Sequence, residues 1–151
     1  MEKDIFFMQQ ALDEAAKAAA LDEVPVGAII VKDEVVIARG YNQKESGKDA
    51  TLHAEIIAIR EACRALNSWR LLDCCIYVTL EPCAMCAGAM VQARIGRLVY
   101  GAADPKTGAA GSLLDLVRFK PFNHQIQVES GVLEEKAVVL LRDFFRRKRQ
   151  K

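Results

Sequence analysis

Cys83 and Cys86 stand three apart in the stretch Val78-Thr-Leu-Glu-Pro-Cys-Ala-Met-Cys86, where a strand-like run stops at Pro82 and a helix begins. Pro82 suits a first helical turn because it has no N–H to leave unpaired. On a helix the two cysteines share one face. Near its N-terminus, unpaired backbone N–H groups and the macrodipole favour thiolate over thiol. Two thiolates at this spacing make half a zinc site, although redox pairs and structural zinc knuckles use the spacing too. Upstream, His53 offers a third ligand and Glu55 a carboxylate two residues later. A catalytic zinc keeps three protein ligands and leaves one position for water. It lowers the pKa of that water toward neutrality, and a nearby carboxylate can take and return the proton.

Distance arithmetic tests whether a fourth residue closes the site. Cys63 lies ten residues along a helix from His53, about 15 Å away. Cys75 is five strand steps before Leu80, about 16 Å from that strand's far end. Cys74 is farther still. His124 sits on a loop, so this arithmetic does not exclude it. An open site is favoured. Glu55 points away from the ligand direction, which places it as a proton carrier and not as a fourth ligand on the same face.

These residues need elements to hold them. Asp4 to Leu21 repeats Ile5, Met8, Leu12, Ala15 and Ala19 at near-helical spacing. Val24 to Val31 and Glu34 to Arg39 read as strands, with Lys32-Asp33 as the hairpin turn. Residues 42 to 50 are polar and turn-rich, hence a loop. His53 to Leu66 is a second helix with Thr51 as candidate N-cap. A strand from Cys75 to Leu80, a helix from Cys83 to Ala93 and a strand from Arg97 to Ala103 follow. Asp104 to Ser112 reads as an exposed loop and Leu113 to Phe119 as a short amphipathic piece. Ile126 to Val132 alternates as a strand, and Glu134 to Arg147 is a final helix. This order predicts an α/β/α sandwich around a mixed sheet.

The 151 residues fit a single domain, 1–151, with enough buried surface to fold without disulfides. Five cysteines, two of them adjacent, suit a reducing compartment and a metal better than a disulfide framework. No apolar run is long enough to cross a bilayer, and the charged start predicts no export signal and a cytoplasmic protein. The formal net charge of +1 hides an asymmetry: residues 146 to 151 hold five cations, and 21 basic residues less those five leave 16 against 20 acidic ones, a net of −4. A basic end of this kind grips phosphates or, more plainly, complements its own helix dipole.

The pattern His53-x-Glu55…Pro82-Cys83-x-x-Cys86 is that of the zinc-dependent deaminases of bases and nucleosides. Beyond it, the chain resembles the bacterial tRNA-specific adenosine deaminases of the cytidine deaminase-like superfamily from about Ile5 to Arg149. The further motifs are Glu23-Val-Pro-Val-Gly-Ala28, Tyr77 to Met90, Lys106-Thr-Gly-Ala-Ala-Gly-Ser112, Asn123-His124 and Asp143-Phe-Phe-Arg146. The resemblance implies a three-layer α/β/α sandwich around a mixed five-stranded sheet. It implies one Zn2+ per subunit on His53, Cys83 and Cys86, with Glu55 as catalytic proton shuttle. It also implies that Asn42 bonds a flipped base, which Val24, Pro25, Ala54 and Leu80 help to hold. Asp104, Lys106, Asn123 and His124 would hold nucleotides of a tRNA anticodon stem-loop, and Phe144, Phe145, Arg147 and Arg149 would lie against RNA. The implied assembly is a homodimer.

Taken singly, Asn42, Asn123 and His124 read as turn residues, and Val24, Pro25 and Leu80 as core. The chain also departs from the family's usual Asp-Pro-Thr-Ala, having Asp49-Ala50-Thr51-Leu52, which is expected to loosen that loop. Pro105 fixes a torsion in the implied substrate loop. The reaction implied is adenosine to inosine at the first anticodon position of a tRNA, an arginine tRNA. The alternatives are a free-base or nucleotide deaminase of the same fold, acting on guanine or cytidine, and a non-enzymatic RNA-binding module with structural zinc.

Overall fold

In a computed structural model, which describes residues 2–150, the chain runs α1 (Glu2–Ala20), β1 (Gly27–Lys32), β2 (Val35–Tyr41), α2 (Ala54–Leu66), β3 (Cys74–Leu80), α3 (Ala84–Gln92), β4 (Arg97–Ala102), β5 (Gln127–Ser130) and α4 (Glu134–Arg149). The five strands form one sheet in the order β2-β1-β3-β4-β5. β1 is antiparallel to β2 and to β3, whereas β3, β4 and β5 run parallel. The mixed sheet is the one expected.

The period-2 pattern of the strands assigns the two faces. Ala28, Ile30, Ile76, Val78, Leu98 and Tyr100 join Ala54, Ala58, Ala62, Cys86, Ala87 and Met90 of α2 and α3 in one core cluster. Ile29, Val31, Tyr77 and Val99 face the other way, against Phe7, Met8 and Ala11 of α1. Leu12, Ala102 and Ala137 extend that second layer to α4. β1 is buried on both faces, which is why its sequence is an unbroken apolar run.

Several boundaries differ from the sequence reading. Ile5 is exposed, and the buried face of α1 is Phe7, Met8, Ala11, Leu12, Ala15 and Ala18. The hairpin turns on Asp33 and Glu34, both at positive φ (51° and 64°), as a type I′ turn requires. Residues 24 to 26 precede β1 instead of belonging to it. The N-cap of α2 is His53, not Thr51. The loop before α2 is closed: Asp49 accepts hydrogen bonds from the Thr51 N–H (2.8 Å) and Oγ1 (2.7 Å), a local turn that stands where a proline was expected to be missed.

Gly40 decides how closely α2 sits on β2. A Cβ there would lie 2.4 Å from the Ala54 carbonyl oxygen and 2.9 Å from the Ala58 nitrogen. Its absence lets the first turn of α2 press on the sheet beside the end of β3. No helix of the described residues is long and apolar enough to cross a membrane.

Candidate active site

Two helix N-termini converge at one end of the sheet. His53 is the N-cap of α2 and Cys83 the N-cap of α3, both in extended backbone conformation (φ −80°, ψ 153° and φ −75°, ψ 178°). Pro82 delivers Cys83 directly from β3, and Cys86 follows in the first turn, fully buried. His53 Nδ1 lies 3.6 Å from Cys83 Sγ and 3.5 Å from Cys86 Sγ. A tetrahedral ion with bonds of about 2.3 Å to sulfur and about 2.05 Å to nitrogen sets adjacent N and S ligands about 3.6 Å apart. The two nitrogen–sulfur distances therefore match the edges of such a site. All three ligand atoms lie within 4.8 Å of one another, and no other group of this kind occurs among the described residues.

The candidates for a fourth ligand are engaged elsewhere. Cys63 Sγ faces the Trp69 carbonyl, Cys74 Sγ the Leu72 carbonyl, and Arg97 lies against Cys75. His124 Nε2 bonds the Ile95 carbonyl at 2.6 Å. Among the described residues the group therefore offers three ligands and not four, the number with which a catalytic zinc site keeps a position for water.

The electrostatics favour a deprotonated sulfur. The Cys86 thiol donates to Cys83, and this bond, with those from His53 and the Cys86 N–H, overcomes burial and brings the Cys83 thiol down to about 4. The partner bond and burial push Cys86 up, while the bond to Cys83 raises His53. Glu55 is 4% exposed, and burial pushes its carboxyl up to about 7. A buried carboxyl poised near neutrality can both accept and release a proton.

A cavity of about 730 Å³ opens onto this group. It brings together Val24, Asn42, His53, Glu55, Leu80, Cys83, Asp104, Phe144 and Phe145 from six sequence neighbourhoods. Cys86 and Pro25 are buried next to lining residues, and Ala54 is buried in α2. Lys106, Asn123, Arg147 and Arg149 are exposed and lie outside the lining, and His124, partly buried, lies outside it too.

Asn42 is more constrained than a turn residue. Its Oδ1 accepts the Ala54 N–H at 2.8 Å, and its own N–H donates to the Val26 carbonyl at 3.1 Å. The oxygen is thus committed to capping α2, and the amide Nδ2 is what Asn42 can offer the cavity.

Two lining residues were missed by sequence reasoning. Glu81 accepts hydrogen bonds from the backbone N–H groups of Asp104, Ala110 and Ser112, each at 3.0 Å, and from the Ser112 hydroxyl. Glu23 accepts the Glu45 N–H at 3.0 Å and the Ser46 N–H at 2.6 Å. Burial alone would raise both carboxyls, but the bonds they accept hold both below the usual value of 4.5. The Asp104 to Ser112 segment is accordingly not an open loop: Gly108, Ala109 and Ala110 are buried around Glu81. The only available signal was that Glu23 and Glu81 are charged residues at strand ends.

A family model described as MafB19-like deaminase matches residues 1–149. The chain is 48% identical over all 151 residues, and over 94% of the relative's length, to a tRNA-specific adenosine deaminase of Bacillus subtilis (strain 168). The chain belongs to this deaminase family. Among solved structures, a deaminase from studies of A-to-I editing by tRNA:A34 deaminases at the wobble position superposes with a TM-score of 0.87. It is 48% identical, and the match covers 90% of this chain and 99% of that one. The guanine deaminase from Nitrosomonas europaea is more distant, with a TM-score of 0.79 at 25% identity over 91% of this chain and 82% of that one. The deaminase fold is thus shared with enzymes whose substrates differ widely in size.

Proposed function

We propose that this deaminase converts adenosine to inosine by hydrolysis at the first anticodon position of a tRNA, with an arginine tRNA as its substrate. It acts as a cytoplasmic homodimer, each subunit a single domain with one Zn2+ ion on His53, Cys83 and Cys86. The observation that carries this reading is the tetrahedral spacing of those three residues with Glu55 buried beside them on the same cavity. Its relatives named for tRNA at 48% identity support the choice of substrate.

Bound there, Zn2+ supplies the Lewis acidity that makes water a nucleophile near neutral pH. Glu55 takes the proton from the attacking water and delivers it to N1 of the adenine. The hydroxide left behind adds at C6; Glu55 then takes the proton of the new C6 hydroxyl and passes it to the amino group, and ammonia leaves as the C6 carbonyl forms. Asn42 Nδ2 donates to an acceptor on the base, while Val24, Pro25, Ala54 and Leu80 fix the base against the α2 start. Splaying the nucleoside out is cheaper from a single-stranded loop than from a duplex. Phe145, 43% exposed, offers a face for a neighbouring base; Phe144, expected beside it against RNA, is buried and instead backs the Phe145 ring edge-on. Lys106, Arg147 and Arg149 meet phosphates, and Asp104, Asn123 and His124 position nucleotides around them.

A free-base deaminase is the second reading, supported by the shared fold of the guanine enzyme. The test is an arginine tRNA transcript with adenosine at the first anticodon position, incubated with the zinc-loaded protein and sequenced for inosine. Conversion there, and none when the adenosine is moved to the second position, is expected. A transcript left unchanged would overturn the tRNA reading.

A further inference from the structure

Glu23 and Glu81 are each 2% exposed, carry a carboxylate on the cavity wall, and touch none of the metal-binding atoms. Between them they accept five backbone N–H groups, all from the two loops that line the cavity ahead of α2 and after β4. A buried carboxylate is costly unless fully bonded, so such a device is expensive as mere packing. We propose that Glu23 and Glu81 are positioning residues for substrate, each fixing one loop of the cavity rim in the shape that grips the RNA around the reacting nucleoside. The inference rests on the tRNA reading above.

Glu81 sits two residues before Cys83, so whatever it holds is registered to the metal group. Its N–H donates to the Ala102 carbonyl (2.8 Å), and the next residue's carbonyl accepts the Ala109 N–H (2.8 Å). The loop closes tightly around it: a Cβ on Gly108 would lie 2.4 Å from the Glu81 carboxyl carbon. Asp104, held by Glu81, organises the next turn in the same way. Its carboxylate accepts the Lys106 N–H (3.0 Å), the Thr107 N–H (3.2 Å) and the Thr107 hydroxyl (2.7 Å). The cavity face of this loop, Asp104 and Thr107, is thereby set from one buried atom pair.

Glu23 does the same on the other rim. It fixes Glu45 and Ser46 in the loop that begins with Asn42 and ends at His53, and Lys44, Glu45 and Ser46 all line the cavity. Neither loop belongs to a named helix or strand, and each is held by a few turn bonds of its own, such as Gly47 N–H to the Gln43 carbonyl and Gly108 N–H to the Asp104 carbonyl. The backbone donors pinned to a buried anion tie those turns to the protein's interior. The residues the two carboxylates hold, Glu45, Ser46, Asp104, Ala110 and Ser112, are neither metal ligands nor proton carriers, which predicts an effect on binding and not on the chemical step.

The test compares Glu23→Gln and Glu81→Gln with the native chain on an anticodon stem-loop. Glutamine keeps the size but turns an amide NH2 toward the backbone donors. The expected result is a rise in KM of about tenfold or more, with kcat at saturation within about twofold of native. Metal content stays at one ion per chain. Amide hydrogen exchange speeds up at Glu45 and Ser46 in the first variant and at Asp104, Ala110 and Ser112 in the second. Ser112→Ala, which removes a single bond to Glu81, gives a smaller rise in the same direction and covers the case in which Glu81→Gln does not fold. Accelerated exchange with unchanged KM would overturn the proposal and leave the carboxylates purely structural. Loss of kcat together with metal would overturn it too. A native chain inactive on the stem-loop sinks the tRNA reading itself, and this proposal with it.

Discussion

Asn42 and Ala54 are joined by a hydrogen bond of 2.8 Å, from the backbone N–H of the first residue of α2 to the Asn42 side-chain oxygen. The bond ties the loop from β2 to the helix start that carries His53 and Glu55. It also fixes which end of the amide faces the cavity. Substitution by aspartate keeps an oxygen at the helix N-terminus, where negative charge is favoured, but replaces the donor with an acceptor. Asn42→Asp should therefore retain its melting temperature and lose about 10²-fold in kcat/KM on the RNA, because the base acceptor faces an anion. Asn42→Ala should lose activity and also about 1 kcal/mol of stability, as a lost cap does. Thermal melting beside steady-state kinetics separates the two effects.

Glu55 is asked to move protons without holding the metal. Glu55→Gln should bind one metal ion per chain, as elemental analysis would show, and turn over about 10²–10⁴ times more slowly than native. Near-native turnover by this variant would remove Glu55 from the mechanism.

Removing the metal should cost stability as well as activity. The His53, Cys83 and Cys86 cluster converges two helix starts, and an ion bound to all three would tie those starts together more strongly than their mutual hydrogen bonds do. A strong chelator should lower the melting temperature, and added Zn2+ should restore it. In His53→Ala the same chelator should shift the melt far less, since the site is already broken.

On the far face of the sheet, Arg97 holds Asp4 through two contacts of 2.8 Å, and the Tyr77 hydroxyl donates to the same carboxylate at 2.7 Å. The Arg97 guanidinium, chiefly by its hydrogen bonds, keeps Asp4 below its usual value of 3.8. A depressed carboxylate adds stability above its unfolded pKa and loses it as pH falls through its lower folded pKa. Asp4→Asn should thus be less stable than native at pH 7, by about 2 kcal/mol for lost charged hydrogen bonds. The gap should shrink only below about pH 4. Urea melts at pH 7 and at successively lower pH values read this directly.

The metal group was legible because its grammar is local: a proline, two cysteines three apart, and a histidine two before a glutamate. The layer order was legible because apolar periodicity switches between 2 and 3.6 at the right places. Boundaries set by distant partners were not. Thr51 looked like the cap of α2, yet the capping oxygen comes from Asn42, 12 residues upstream. Ile5 fitted the period of α1 as well as Phe7 did, and only the position of Tyr77 decides which of them is covered. Glu23 and Glu81 were silent for the same reason. A carboxylate that binds the backbone of a loop leaves no trace in the loop's side chains, because every residue type carries the N–H it uses.

The most direct test is the choice of substrate. Zinc-loaded protein would be given an anticodon stem-loop with adenosine at its first anticodon position and, separately, free adenosine, cytidine and guanine, with Glu55→Gln as the blank. Inosine formed in the stem-loop, with the free compounds unchanged, is the result expected of a cavity whose rim grips RNA. Turnover of guanine or a free nucleoside with the stem-loop left intact would keep the metal group and Glu55 and contradict the tRNA assignment.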